Sequence, residues 1–223
     1  LQNGDQFRQV DNLVALGVCL DAQGHALASA NHRRGCALGT LRKHAGLLQS
    51  AYLPLRDRVR LAAKTVKASF LHGAGGWPLS PGIADLAAVL DRAIWRVLLG
   101  SRRRTDETWR QFTTRTKRAR VKHIAELKVV PLWHMVLQRH VGWAGHVVRL
   151  PHGCQLRVPL AWRSPAWWET VQAARRDHRA TLPRHPSSGW VRGWEWAVYA
   201  LCGPDWHSEA QDQRGWLILR DRH

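Results

Sequence analysis

The stretch LWHMVLQRHVGWAGHVVRLP, residues 132–151, sets how the rest of the chain is read. Met135, Val136, His140, Val141 and Val147 fall near one face at helical spacing, which predicts a helix from about Leu132 to Arg149. The same spacing continues upstream. Ile83, Leu86, Val89, Leu90, Ala93, Val97 and Leu98 step by threes and fours over about Gly82 to Leu99, and Gly100 stands where a C-terminal glycine belongs. Val59, Ala62, Ala63, Val66, Phe70 and Leu71 give an apolar face to a helix entered at Leu53-Pro54-Leu55 and ended by Gly73-Ala74-Gly75-Gly76. The chain is therefore expected to be mainly α.

Ahead of these helices, Ala28, Cys36, Leu38, Leu41, Leu47 and Leu48 predict helix over about Leu27 to Gln49. Gly35, Gly39 and Gly46 weaken that pattern unless another element packs closely on them. Residues 10–20 are rich in Val and Leu and lead into Asp21-Ala22-Gln23-Gly24, which reads as one or two short strands, a short N-terminal β-hairpin at most, closed by a Gly turn. After Gly100, Thr105 is the expected N-cap of a basic helix with Asp106 and Glu107 in its first turn. A further helix is expected from about Ala119 to Lys128.

Charge is the strongest compositional signal. The 223 residues hold 34 Lys and Arg against 16 Asp and Glu, a net charge of +18. Such a chain repels itself and attracts polyanions. Up to Leu150 there are 24 basic and 9 acidic residues; from Pro151 on, 10 and 7. Tryptophan runs the other way, with 8 of 13 after Leu150. Composition thus divides the chain near Pro151 into a basic helical body and a Trp-rich tail. The tail is expected to hold short helices over about 166–179, Val191–Leu201 and Trp206–Leu219, with a linker over 182–189.

Cys19, Cys36, Cys154 and Cys202 are not spaced for zinc and read as free thiols. No secretory signal stands out, and no apolar run approaches membrane-spanning length, so no membrane partner is expected. The first residue is Leu, which suits a fragment or a conceptual translation.

Five blocks, in order, resemble non-LTR (LINE-type) retrotransposon reverse transcriptases downstream of their polymerase palm. Leu16-Gly17 with Asp21 and Gly24 is similar to the strand-turn just after the palm. Leu71-His72-Gly73-Ala74-Gly75-Gly76-Trp77 resembles the family's Leu-Tyr-Gly-Ala-Glu-Thr-Trp, with His72 in place of Tyr and Gly75-Gly76 in place of the polar pair. Leu90-Asp91-Arg92 through Leu98-Leu99-Gly100 is similar to a helix that carries an Arg and closes in Leu-Gly. Trp143-Ala144-Gly145-His146-Val147-Val148-Arg149 resembles the Trp-x-Gly-His-Val-x-Arg signature, with Gly142 where Arg is usual and Leu150 where Met is. Trp206, Ala210, Asp212, Arg214 and Trp216 resemble the closing block, interrupted by Gln213.

The resemblance implies three parts: residues 1–24 as the hairpin ending a palm, 25–150 as a basic helical thumb and connector, and 151–223 as a Trp-rich C-terminal segment. It places the metal carboxylates and their Mg²⁺ ions in a palm outside these residues. No cofactor is expected in this chain, and no activity from it alone. Within the chain the only adjacent acids are Asp106 and Glu107, and no Gly-rich phosphate loop occurs. The implied partners are RNA, RNA–DNA hybrid or DNA, and the upstream palm and fingers of the same polyprotein. Nuclear or cytoplasmic location follows from that biology.

The expected phosphate contacts are Arg102, Arg103 and Arg104, then Arg115, Lys117, Arg118, Arg120 and Lys122, with Arg56, Arg60, Lys64 and Lys67 on an earlier helix. A solvated basic face is the plain alternative for each. His146 and Arg149 join the set; a metal is the weakest role for His146, which has no acid nearby. Trp143 is expected to be a core anchor ahead of a base-stacking role. The tail tryptophans, Trp162, Trp167, Trp168, Trp190, Trp194, Trp196, Trp206 and Trp216, are expected to form a small aromatic core, with a single-strand stacking platform as the sharper alternative. A free-standing basic module that binds nucleic acid or protein, or a non-functional retroelement relic, is the rival to the polymerase-fragment reading.

Overall fold

The computed structural model describes residues 12–16, 18–21, 26–77, 79–151, 154, 198, 201–203 and 205–222. They form a mainly α architecture with one two-stranded hairpin, as expected. Strand β1 (Asn12–Ala15) pairs antiparallel with β2 (Val18–Asp21), and Ala15 faces Val18 in the register. Asp21 ends β2, and residues 22–24 of the expected Gly turn lie outside the described residues. Leu16 has a left-handed φ of 50°, the backbone that a two-residue hairpin turn demands.

Helix α1 (Ala26–Lys43) buries Ala30, Ala37 and Leu41, and α2 (Ala45–Gln49) buries Leu48. A Cβ added to Gly35, Gly39 or Gly46 would meet nothing within 4 Å. These glycines make no close approach to another element, and burial of the Ala/Leu face carries the helix despite them.

Helix α3 (Leu55–Ala62) runs on through a π-helical turn, Ala63–Lys67, into α4 (Ala68–Phe70). Lys67 in that turn is buried, with its ammonium 3.4 Å from Asp91 and donating to the Val130 carbonyl at 3.1 Å. Arg58 of α3 donates to three carbonyls, Leu48, Leu53 and Leu98. It thereby satisfies the open C-terminal ends of α2 and α5 with one guanidinium. The turn that follows α4 receives the hairpin: His72 Nε2 lies 3.0 Å from the Leu16 carbonyl oxygen.

Helix α5 (Pro81–Leu98) opens on Ser80, whose hydroxyl accepts from the Ile83 N–H, and closes at Gly100 with φ 55°. Next comes a single helix, α6 (Trp109–Glu126), where a break near Ala119 was expected. Its cap is Thr108, not Thr105, in a reciprocal box with Gln111. No Gly or Pro interrupts 109–126, so one helix satisfies all the backbone there.

Helix α7 (Leu132–Val148) belongs to two cores. Its first half, with Leu132 and Val136, closes a large core made with α1, α3, α5, Phe70 and Trp77. Its second half, with Val141, Ala144 and Val148, joins a smaller core containing Val198, Trp206, Ala210 and Trp216. The last three residues come from α8 (Trp206–Glu209), its junction with the next helix, and α9 (Gln213–Arg222), respectively. The helix expected over Trp206–Leu219 is thus divided in two. Asp212 accepts from the Arg214 and Gly215 N–H groups at 3.0 and 3.1 Å, which caps α9 and ends α8.

Two glycines of the quoted motifs permit this packing. A Cβ on Gly145 would collide with the Trp216 indole, whose N–H donates to the Val141 carbonyl at 2.8 Å. A Cβ on Gly75 would come within 2.8 Å of Trp143 Cβ. Trp143 is 38% exposed, so it covers Gly75 at the surface and is not the core anchor expected of it. Trp206 and Trp216 do occupy a core; Trp162, Trp167, Trp168, Trp190, Trp194 and Trp196 lie outside the described residues, as do the helix expected over 166–179, most of that over 191–201, and the linker.

Candidate nucleic-acid interface

Helix α6 is built unlike its neighbours. Phe112 is its single buried residue, while Arg110, Lys117, Arg118 and Lys122 are exposed. A helix this thinly anchored contributes little to the core and presents charge instead. Two clefts flank it.

The first cleft, about 320 Å³, lies between α6 and the C-terminal half of α5. Arg92 and Arg96 from α5 and Lys117 and Arg120 from α6 supply its cations, and no Asp or Glu lines it. Trp95, Leu99 and Trp109 supply apolar surface; Ser101, Thr113 and Thr116 supply hydroxyls. Trp95 is 2% exposed and forms the wall, whereas Trp109 is 60% exposed at the rim. The Trp109 ring rests 5.4 Å from that of Phe112. The buried Nε of Arg120 has no hydrogen-bond partner.

The second cleft, about 560 Å³, is bordered by Arg104, Arg110, Arg115 and Arg118 together with Asp106 and Glu107. Glu107 accepts a two-pronged bond from Arg115, Nε and Nη2 each at 2.8 Å. It also accepts from the Arg104 N–H at 3.2 Å, and Arg115 reaches on to the Arg102 carbonyl at 3.0 Å. The Arg115 hydrogen bond holds the Glu107 carboxyl well down, to about 2, and Glu107 in turn raises Arg115. Glu107 therefore lies outside the helix it was expected to open, and serves as a strap that fixes the Arg102–Arg104 loop against α6. Forked geometry of this kind orients as well as neutralises.

The expected contacts thus separate. Arg102, Arg103 and Arg104 are exposed in the loop, and Arg104, Arg115 and Arg118 meet in one cleft while Lys117 and Arg120 meet in the other. Lys122 lines neither and lies 3.8 Å from Glu126. Arg56, Arg60 and Lys64 form an exposed stripe at four-residue steps on the α3 helix and its π-turn continuation, outside both clefts. Lys67, expected in that stripe, is buried on the inner side, because the π turn points it at Asp91. Burial lowers its pKa against the opposing pull of Asp91. His146 is exposed, with its ring 5.4 Å from that of Trp143. Arg149 donates to the Ala210 carbonyl at 2.6 Å and so ties α7 to the end of α8.

Arg92, Arg96 and Trp109 were not among the contacts expected from sequence. The spacing of Arg92 and Arg96 by four on the polar side of an amphipathic helix is a usable signal. Trp109 carried none, since an aromatic beside a helix start reads as core. Among the described residues no three of His, Cys, Asp and Glu come together to hold a metal. Among them, too, no helix is long and apolar enough to cross a membrane.

The chain is similar over 98% of its length to an uncharacterised transposon-derived protein of Caenorhabditis elegans, at 23% identity, the match taking up 73% of that protein. No family model matches the chain. No solved structure matches it. The similarity points to a transposable-element origin.

Proposed function

We propose that this chain is a nucleic-acid-gripping module from a non-LTR retrotransposon reverse transcriptase, the thumb and tail that follow the palm. The observation that carries the reading is α6: a basic helix with one buried side chain and two cationic clefts along its flanks. Arginine and lysine on such a helix bind phosphates by releasing counterions, without reading sequence. The five ordered sequence blocks and the similarity to a transposon-derived protein supply the rest of the support. In this reading the partners are RNA–DNA hybrid, RNA or DNA, and a palm elsewhere in the same polyprotein supplies the catalytic carboxylates and Mg²⁺. Its place of action is the nucleus or cytoplasm.

The test is binding to a blunt RNA–DNA hybrid over a salt series. Affinity should fall steeply and without sequence preference as salt rises. Arg104→Gln with Arg118→Gln should weaken binding and reduce the log–log salt slope by about 2, about one for each phosphate contact removed. Weak binding even at low salt would overturn the reading.

A second reading is a free-standing basic module domesticated from, or left behind by, such an element. It is favoured by the fact that the match already accounts for 73% of the transposon-derived relative. A Tyr-x-Asp-Asp palm encoded upstream in the same transcript would decide for the first reading, and a stop-riddled upstream frame for the second.

A further inference from the structure

The two clefts beside α6 differ in a way that duplex binding does not require. The α6–loop cleft contains Asp106 and Glu107, so part of its positive charge is answered internally. The α5–α6 cleft gathers Arg92, Arg96, Lys117 and Arg120 with no carboxylate on its lining. Like charges held together in this way raise each other's free energy, and an anion relieves that. The buried, unpartnered Nε of Arg120 adds a donor already removed from water.

Phosphate alone would need only the charge. This cleft also has an indole at its rim: Trp109 is 60% exposed, an expensive placement for the largest apolar side chain. Phe112 braces the ring from behind at 5.4 Å. Trp95 and Leu99 extend the apolar wall, and Ser101, Thr113 and Thr116 offer hydroxyls. The volume of about 320 Å³ is at the lower end for small-molecule sites and too narrow to admit a duplex. A phosphate-seeking, aromatic-rimmed, nucleotide-sized cleft fits a single unpaired nucleotide.

We propose that the α5–α6 cleft holds an unpaired nucleotide of the bound nucleic acid, its base stacked on Trp109 and its flanking phosphates on Arg92, Arg96, Lys117 and Arg120. This rests on the nucleic-acid-binding reading above and adds a single-strand subsite to it. Stacking on an exposed aromatic tolerates any base, so the subsite recognises the unpaired state and not the sequence.

The experiment compares the full chain on three probes at fixed salt: a blunt RNA–DNA hybrid, the same hybrid with a short single-stranded overhang, and a free nucleoside monophosphate. The overhang should bind about fivefold or more tightly than the blunt hybrid, the worth of one stacked base. Trp109→Ala should bring that ratio to about one, and Trp109→Phe should restore most of it. Arg92→Gln with Arg96→Gln should lower the ratio as well. A 5-iodouracil placed in the overhang should photo-crosslink to Trp109. Blunt binding with a ratio of one in the unaltered chain, or a crosslink elsewhere, overturns the subsite and leaves duplex binding standing. Failure to bind blunt hybrid overturns the underlying reading. Tight binding of the free nucleotide without an overhang preference would mean a mononucleotide pocket, and would overturn the strand subsite.

Discussion

Lys67 is a cation that charge counting assigns to the surface and the fold assigns to the interior. Its ammonium and the Asp91 carboxylate are both buried, 3.4 Å apart, with the Val130 carbonyl as a further acceptor. Removing one partner leaves a buried charge without compensation, whereas removing both leaves only a packing problem. Lys67→Met should therefore destabilise the chain by about 3–5 kcal/mol, and adding Asp91→Leu should recover much of that. Denaturant unfolding of the single and double variants measures it; equal losses in both would mean the pair has no special weight. Gly145 makes the opposite case, a residue whose lack of a side chain matters. Gly145→Ala should cost about 1–3 kcal/mol by driving the Trp216 indole off the helix. Trp216→Ala should cost about 3–5 kcal/mol, and the two should be strongly non-additive because they disturb one contact.

At the scale of elements, α6 and its leading loop form one device. The Thr108–Gln111 box starts the helix and the Glu107–Arg115 fork straps the loop to it. Because the Glu107 carboxyl is depressed to about 2 from an ordinary 4.5, the fork's contribution is full above 4.5 and is lost as pH falls through about 2. A carboxylate titration followed by NMR should place the Glu107 midpoint near 2. A midpoint at the ordinary value would mean that the fork does not persist in solution. Thr108→Ala should fray the start of α6 at a cost of about 1 kcal/mol. In the proposed reading it should also weaken hybrid binding, since the cations of the first two turns lose their fixed direction.

For the whole molecule, the arrangement of cores sets what is rigid. Helix α7 contributes to both the large and the small core, while α6 contributes Phe112 alone to the buried interior. Amide hydrogen exchange should accordingly find the centre of α7 among the slowest segments and α6 among the fastest of the long helices. Added hybrid should then slow exchange in α6 more than in α7; an unchanged α6 would count against the interface. The docking of α8 and α9 on α7, through the Trp216–Val141 and Arg149–Ala210 hydrogen bonds, joins residues on either side of the compositional change at Pro151.

Periodicity alone determined α5, α7 and the helical run from α3 through its π turn to α4, because an apolar face repeated over four or five turns leaves no other element that buries it. Composition determined the basic character of the first two thirds. Sequence split α6, whose polar surface has little hydrophobic period to follow. Only the tertiary structure decided which cations face solvent. Lys67 and Arg58 look like their neighbours in sequence, yet one enters a buried ion pair and the other caps two helix ends. The α5–α6 cleft was likewise out of reach, because Arg92 and Arg96 meet Lys117, Arg120 and Trp109 only through the angle that the loop between the two helices sets, which spacing along either helix does not give. Local spacing fixes which face of a helix is apolar; which polar side chains end up sharing a space depends on contacts that spacing does not encode.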